Sequence, residues 1–168
     1  MSTENLKNQE AIDKLKQLVD GIDIGMMSSF SKNDSFPYTV PMSRQEIDDD
    51  GAIWYLCSAE SETYKKLEKD KNVMISFSDV SGYRFLVVNG TAELSSDQER
   101  IDKYWNQFIE VYFEKGKDDP SVRVLKVIPD EAHYWDNKTN KLMTVLKVAT
   151  SAITVSKMDI GREGSLDL

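Results

Sequence analysis

The chain is short of the residues that cross-link small folds or hold metals. Its 168 residues include one cysteine, Cys57, and one histidine, His133. A single cysteine excludes an internal disulfide and fits a reducing, cytoplasmic compartment. A structural Cys/His zinc site is excluded with it, and a cysteine–histidine triad would have to be built from Cys57 and His133. Positive charge is also scarce, with 21 Lys and Arg against 29 Asp and Glu, a net charge of −8. That balance opposes general binding to nucleic acid or to an anionic membrane. No apolar run approaches the roughly 20 residues of a membrane helix. The opening MSTENLKNQE has no apolar signal-peptide core. There is no internal repeat and no low-complexity linker.

What is present reads as one domain over 1–168, long enough to bury a core without cross-links. Residues 1–8 are polar and predict a frayed end. Ile12, Leu15, Leu18 and Val19 fall at helical spacing, which predicts a helix over 9–20 with Asn8 as a cap and Gly21 as its stop. Strands are then expected at 22–29, 36–43, 52–58, 72–78 and 83–94. Pro37 and Pro41 mark the second of these as an edge or an irregular pairing. Asp48-Asp49-Asp50-Gly51 reads as a solvated hairpin turn, since the spacing of a calcium loop is absent. A short helix is expected over 61–69, and Asn89-Gly90 marks a bend in the fifth strand.

Ser96 and Glu99 form a capping-box pattern ahead of Ile101, Tyr104, Trp105, Phe108, Val111 and Tyr112, predicting one amphipathic helix over 97–115. Residues 122–128 are apolar on both faces, as in a central strand. Pro129-Asp130 is expected to interrupt it before a last strand at 131–136. Residues 142–155 are ambiguous between helix and strand, and the closing GREGSLDL is polar. Short turns between antiparallel strands point to a mainly β fold, a closed or nearly closed barrel with flanking helices.

Between the strands at 52–58 and 72–78 lies Cys57-Ser58-Ala59-Glu60-Ser61-Glu62-Thr63. Small hydroxyl side chains ahead of a helix offer donors to an anion, so this junction is the candidate ligand site. The thiol of Cys57 reads as packing or pocket lining rather than as a nucleophile. His133 reads as a surface strand residue rather than a base. Trp105, Tyr112 and Trp135 read as core with stacking on a ligand as the alternative. Lys65 and Lys66 stand between a solvated helix face and phosphate contact. Arg84 and Arg123 stand between structural pairing and phosphate contact.

PMSRQEIDDDGAIWYLCS, NVMISFSD, GKDDPSVRVLKVIPDEAHYWD and GREGSLDL, in this order and spacing, resemble the general-stress-protein branch of the pyridoxamine 5′-phosphate oxidase-like flavoproteins. The resemblance covers about residues 20–168. It implies a six-stranded antiparallel split barrel of the FMN-binding type, and a homodimer with FMN, or in some members FAD, in clefts at the subunit interface. Pro41 and Met42 match the second-strand flavin contacts of the family, while Val40 stands where the family carries arginine. The strand end Leu56-Cys57-Ser58 and Ser61 fall on the flavin side, and Thr63 stands where the family has a phosphate-binding lysine. Thr63-Tyr64-Lys65-Lys66-Leu67 is close to a Thr-Tyr-Lys-Asn-Leu variant of the motif. With Trp105 these complete the expected cofactor contacts. The activity implied is that of a flavin-dependent oxidoreductase of unnamed substrate. The alternatives are a non-catalytic flavin or nucleotide binder and a relative that has lost its cofactor. No residue stands out as an acid–base catalyst, and the pyridoxamine phosphate oxidase reaction itself is not expected.

Overall fold

The structure, a computed structural model, describes residues 2–31, 35–137 and 161–168. In chain order its elements are β1 (Ser2–Thr3), β2 (Leu6–Lys7), α1 (Asn8–Val19), β3 (Ile24–Ser29), β4 (Tyr38–Ser43), β5 (Glu46–Ile47), β6 (Ile53–Ser58), α2 (Glu62–Leu67), β7 (Asn72–Asp79), β8 (Arg84–Ser95), α3 (Gln98–Tyr104), α4 (Gln107–Glu110), β9 (Val122–Asn137) and β10 (Gly161–Asp167). The ambiguous segment 142–155 and the turn residues Asn33 and Asp34 lie outside the described residues.

Six long strands follow one another by antiparallel pairing in the order β4-β3-β7-β8-β9-β6. The two ends of this run, β4 and β6, come near each other, but no ladder joins them among the described residues. The barrel is therefore split along the β4–β6 line, the six-stranded antiparallel arrangement expected. Alternation along the strands sends Met27, Ile53, Tyr55, Ile75, Phe77, Leu86 and Leu125 inward, where α1 adds Leu15 and Leu18. The other side of β6 is covered too. Trp54 packs with Val122 and Val124 of β9 against Ile101 and Tyr104 of α3, with Ile109 and Phe113 beyond. Burial on both faces explains the unbroken apolar run IWYLCS.

The core contains one orphaned polar atom with a clear consequence. The Tyr55 hydroxyl is buried without a hydrogen-bond partner, and burial pushes the phenol pKa up, with the charge of Arg44 offsetting it in part. An unsatisfied buried hydroxyl costs about 1–3 kcal/mol. Tyr55→Phe is expected to raise stability by about 1 kcal/mol, read as a higher urea midpoint at unchanged m-value.

Four expectations are corrected. The N-terminal residues do not fray: β1 and β2 pair in parallel with β10, itself antiparallel to β9. The polar GREGSLDL is thus a strand, held by backbone pairing and by ion pairs that hydrophobic periodicity does not report. Glu4 N donates to the Glu163 carbonyl at 2.9 Å, and the Tyr134 hydroxyl donates to the Glu4 carbonyl at 2.9 Å. Second, Asn8 is the first helical residue, at φ 53, and the cap is Lys7 without a side-chain bond.

Third, β9 is continuous through Pro129, which sits opposite Gly90 at a register shift between Asn89 and Gly90. A bulge absorbs the missing N–H of proline, so the strand need not stop. Fourth, the helix expected over 97–115 is two. Asp97, not Ser96, caps α3 by accepting from Arg100 N at 3.2 Å. α3 ends at Tyr104, and Asn106 starts α4 by accepting from Phe108 N at 3.0 Å and Ile109 N at 3.1 Å. Asn side chains bond nearby backbone amides in preference to continuing a helix. The break turns the second half of the stripe outward, leaving Phe108 55%, Val111 78% and Tyr112 69% exposed.

Candidate functional site

A cavity of about 440 Å³ lies on the split of the barrel. One wall is the edge strand β4 with Val40, Pro41 and Met42; the facing wall is the end of β6 with Leu56, Cys57 and Ser58. Ser61, Glu62 and Thr63 at the start of α2 close one end. Phe108, Ile109, Tyr112 and Phe113 from α4 and the turn after it form a third, aromatic side, and Ile24, Tyr38, Ser43 and Gln45 complete the lining.

Each wall is held by identifiable contacts. β4 is pinned to β3 by the Ser28–Thr39 hydroxyl bond at 2.7 Å. The β6–α2 junction is tied to itself. The Ser61 hydroxyl donates to the Ser58 carbonyl at 2.7 Å and accepts from Tyr64 N at 3.2 Å, while the Ser58 hydroxyl accepts from Glu60 N at 3.1 Å. The aromatic side is held through Trp54. The Arg100 guanidinium lies 4.1 Å over the Trp54 ring, and Trp54 Nε1 donates to the Asp48 carboxylate at 2.8 Å. The Glu46 carboxylate accepts from Lys103 Nζ and the Tyr104 hydroxyl, each at 2.5 Å. Those two hydrogen bonds, Lys103 first, hold the Glu46 carboxyl below the usual range. Burial, reinforced by the bond to Glu46, pushes the Tyr104 phenol up to about 12. The acidic turn at Asp48 is therefore a structural clamp: its carboxylate also accepts from Asp50 N and Ala52 N, and the described residues include no acidic cluster able to hold a metal.

Eight residues expected at a ligand site line this cavity: Val40, Pro41, Met42, Leu56, Cys57, Ser58, Ser61 and Thr63. Three do not. Trp105 leaves the pocket for the second core, its ring centroid 5.6 Å from that of Phe113. Lys65 Nζ is 3.2 Å from the Glu62 carboxylate, and Lys66 Nζ lies 5.7 Å from the ring centre of Tyr38. His133 is exposed on the outer face of β9, beside Trp135. Arg84 pairs with Asp79 at 3.0 Å, and Arg123 donates to the carbonyls of Pro120 and Val122, both at 2.8 Å. Sequence reading missed Phe108 and Phe113 as pocket residues. The signal available was Asn106, a cap residue in the middle of an apolar stripe.

Burial pushes the Cys57 thiol up to about 12, with Arg123 offsetting only in part. The thiol is neutral at pH 7 and serves as a small apolar wall, not as a nucleophile. The site therefore offers shape and apolar surface at two walls, ring faces at a third and hydroxyl groups at one end.

The model of the family described as pyridoxamine 5′-phosphate oxidase like matches residues 10–159. The chain belongs to that family. Among solved structures, a general stress protein 26 of Jannaschia sp. CCS1 superposes with TM-score 0.79 at 22% identity, covering 95% of this chain and 99% of the other. The general stress FMN/FAD binding protein of Xanthomonas citri superposes with TM-score 0.65 at 24% identity, covering 79% and 93%. These likenesses share the pyridoxamine 5′-phosphate oxidase-like fold. Protein bli-3 of Neurospora crassa is 29% identical over 105 residues, which are 58% of this chain and 50% of that protein. The chain thus spans about half the length of that curated relative.

Proposed function

We propose that this chain is a cytoplasmic, homodimeric flavin-binding oxidoreductase whose flavin ring lies in the cavity on the barrel split. The carrying observation is the cavity itself. Its roughly 440 Å³ falls in the range of small-molecule sites, about 300–1,000 Å³, and apolar strand walls and aromatic rings make it suited to a planar heteroaromatic. The general stress FMN/FAD binding protein of Xanthomonas citri, which shares the fold, supports the same assignment. A bound flavin would supply the electron or hydride transfer. Pro41, Met42 and Leu56 would exclude water and fix the plane of the ring; Phe108 and Tyr112 would cover it. The rim supports the dimer: Ile24, Tyr38, Phe108 and Tyr112 line the cavity yet are 39–69% exposed, an apolar margin that a second copy would cover.

A second reading, a flavin carrier or sensor without turnover, is favoured by the proton inventory. The buried Cys57 thiol stays protonated, so it is not poised as an acid–base group.

Purified full-length protein is expected to be a dimer by light scattering and either yellow or turned yellow by added FMN or FAD, with bleaching by a nicotinamide nucleotide. Binding without bleaching by any reductant selects the carrier reading. A colourless protein with no thermal shift on adding flavin would overturn both and leave a family member without cofactor.

A further inference from the structure

We propose that the cavity recognises the flavin ring and not its phosphate, so that riboflavin, the uncharged flavin, binds at least as tightly as FMN. This rests on the flavin reading above and names the form of the ligand.

The polar end of the cavity sets the preference. Among the described residues its lining contains no lysine, arginine or histidine, and its one charged side chain is Glu62. Three cations stand near this end, none of them on the lining, and each already has a partner. Lys65 Nζ is 3.2 Å from the Glu62 carboxylate. Lys66 Nζ lies over the Tyr38 ring. Arg123 donates to two backbone carbonyls at 2.8 Å and sits 6.0 Å from the Tyr64 ring centre. The Ser61 hydroxyl is also in use, since it donates its proton to the Ser58 carbonyl. On the lining itself a phosphate dianion meets the Glu62 carboxylate, already paired with Lys65, and neutral dipoles. Bonds to ionised partners are about twice as strong as neutral ones, so the phosphate loses its solvation for little return. The ring system loses nothing comparable. It meets Pro41, Leu56 and the Phe108–Tyr112 pair, whose rings stand edge to face at 5.8 Å.

The test is the pair of dissociation constants, riboflavin and FMN, measured on the full chain by quenching of flavin fluorescence at low salt, where charge effects are least screened. The expected result is an FMN constant equal to or above that of riboflavin. Thr63→Lys puts an ammonium on the lining and is expected to tighten FMN by about tenfold, leaving riboflavin within about threefold. Because Thr63 is only 4% exposed, Glu62→Gln serves as a second variant. It removes the one lining charge from the surface and is expected to tighten FMN by about threefold. FMN binding more tightly than riboflavin in the unmodified protein would overturn the inference while leaving the flavin reading in place, as would FMN affinity unchanged in both variants. Binding of neither flavin would overturn the flavin reading, and the inference with it.

Discussion

Asp136→Ala is expected to destabilise the protein by about 3–5 kcal/mol at pH 7, the range for removing one partner of a buried ion pair. The Asp136 carboxylate accepts from two cations, Lys14 Nζ at 2.7 Å and Arg162 at 3.1 Å, and the side chains of Lys14 and Asp136 are only 6% and 12% exposed. Without Asp136, the Lys14 ammonium is buried with no carboxylate partner among the described residues. The Lys14 contacts left are the Gln17 side chain at 3.3 Å and the Tyr134 ring at 5.1 Å. Lys14→Met is expected to cost much less, because Asp136 keeps Arg162. The pair of variants separates a shared acceptor from a general loss of packing; equal costs would contradict this account. The network spans the molecule, joining α1, β9 and β10, and Arg162 carries it on to Glu4 at 2.9 Å. The loss should therefore reach β1 and β2, visible as faster amide exchange in both.

The pH dependence gives an independent check. Burial pushes the Asp136 carboxyl up, but the hydrogen bond and charge of Lys14, with Arg162, outweigh it and hold the group below the usual range. A depressed folded-state pKa stabilises above the unfolded value, near about 3.9, and that contribution is lost as pH falls through the folded value. The difference in urea midpoint between wild type and Asp136→Ala should therefore be full at pH 7 and shrink below about pH 4.

Which parts of this molecule a reader of the sequence could have found follows from what periodicity reports. IWYLCS and NVMISF were legible as buried strands because burial leaves an apolar signature, and the Ser58–Thr63 junction because turn and cap residues are local chemistry. Val40 and Thr63, where the family resemblance puts arginine and lysine, were also legible, and both line the cavity. The pairing of β1 and β2 with β10 was not. Those segments are held by backbone bonds and by the Glu4–Arg162–Asp136–Lys14 chain, whose members lie up to 158 positions apart. Polar contacts over such separations leave no local pattern. The aromatic side of the cavity was hidden differently. Phe108 fits a helical stripe, as does Tyr112, whose contact with a ligand was only the alternative to core packing, and the capping strength of Asn106 decides that the helix breaks and turns them to the pocket.

Gly90→Ala is expected to cost about 3 kcal/mol, the upper end of the usual overpacking penalty, and, on the flavin reading proposed above, to weaken flavin binding in whatever fraction still folds. A Cβ at Gly90 would collide with the Ile128 carbonyl and come within 3.1 Å of Pro129 Cα. Both are backbone, so no side-chain rotation relieves the clash. The residue sits where the β8–β9 ribbon turns. On one side β9 pairs with β8 residues 85–89 and with β10; on the other its Val124–Ile128 stretch pairs with β8 residues 91–95, and Val122–Val127 with β6. The Gly90–Pro129 bulge is thus the corner that brings β6 round towards β4, and the gap left between those two strands is the cavity. Bulges bend and twist the strand that carries them; flattening this one would move the β6 wall and its Leu56, Cys57 and Ser58 away from β4. Gly21→Ala is the control. Its φ is +75 but nothing lies within 4 Å of the added methyl, so it should cost about 1 kcal/mol in backbone strain alone and leave flavin affinity unchanged. Equal losses from the two substitutions, in urea midpoint and in flavin dissociation constant, would show that the corner does not shape the site.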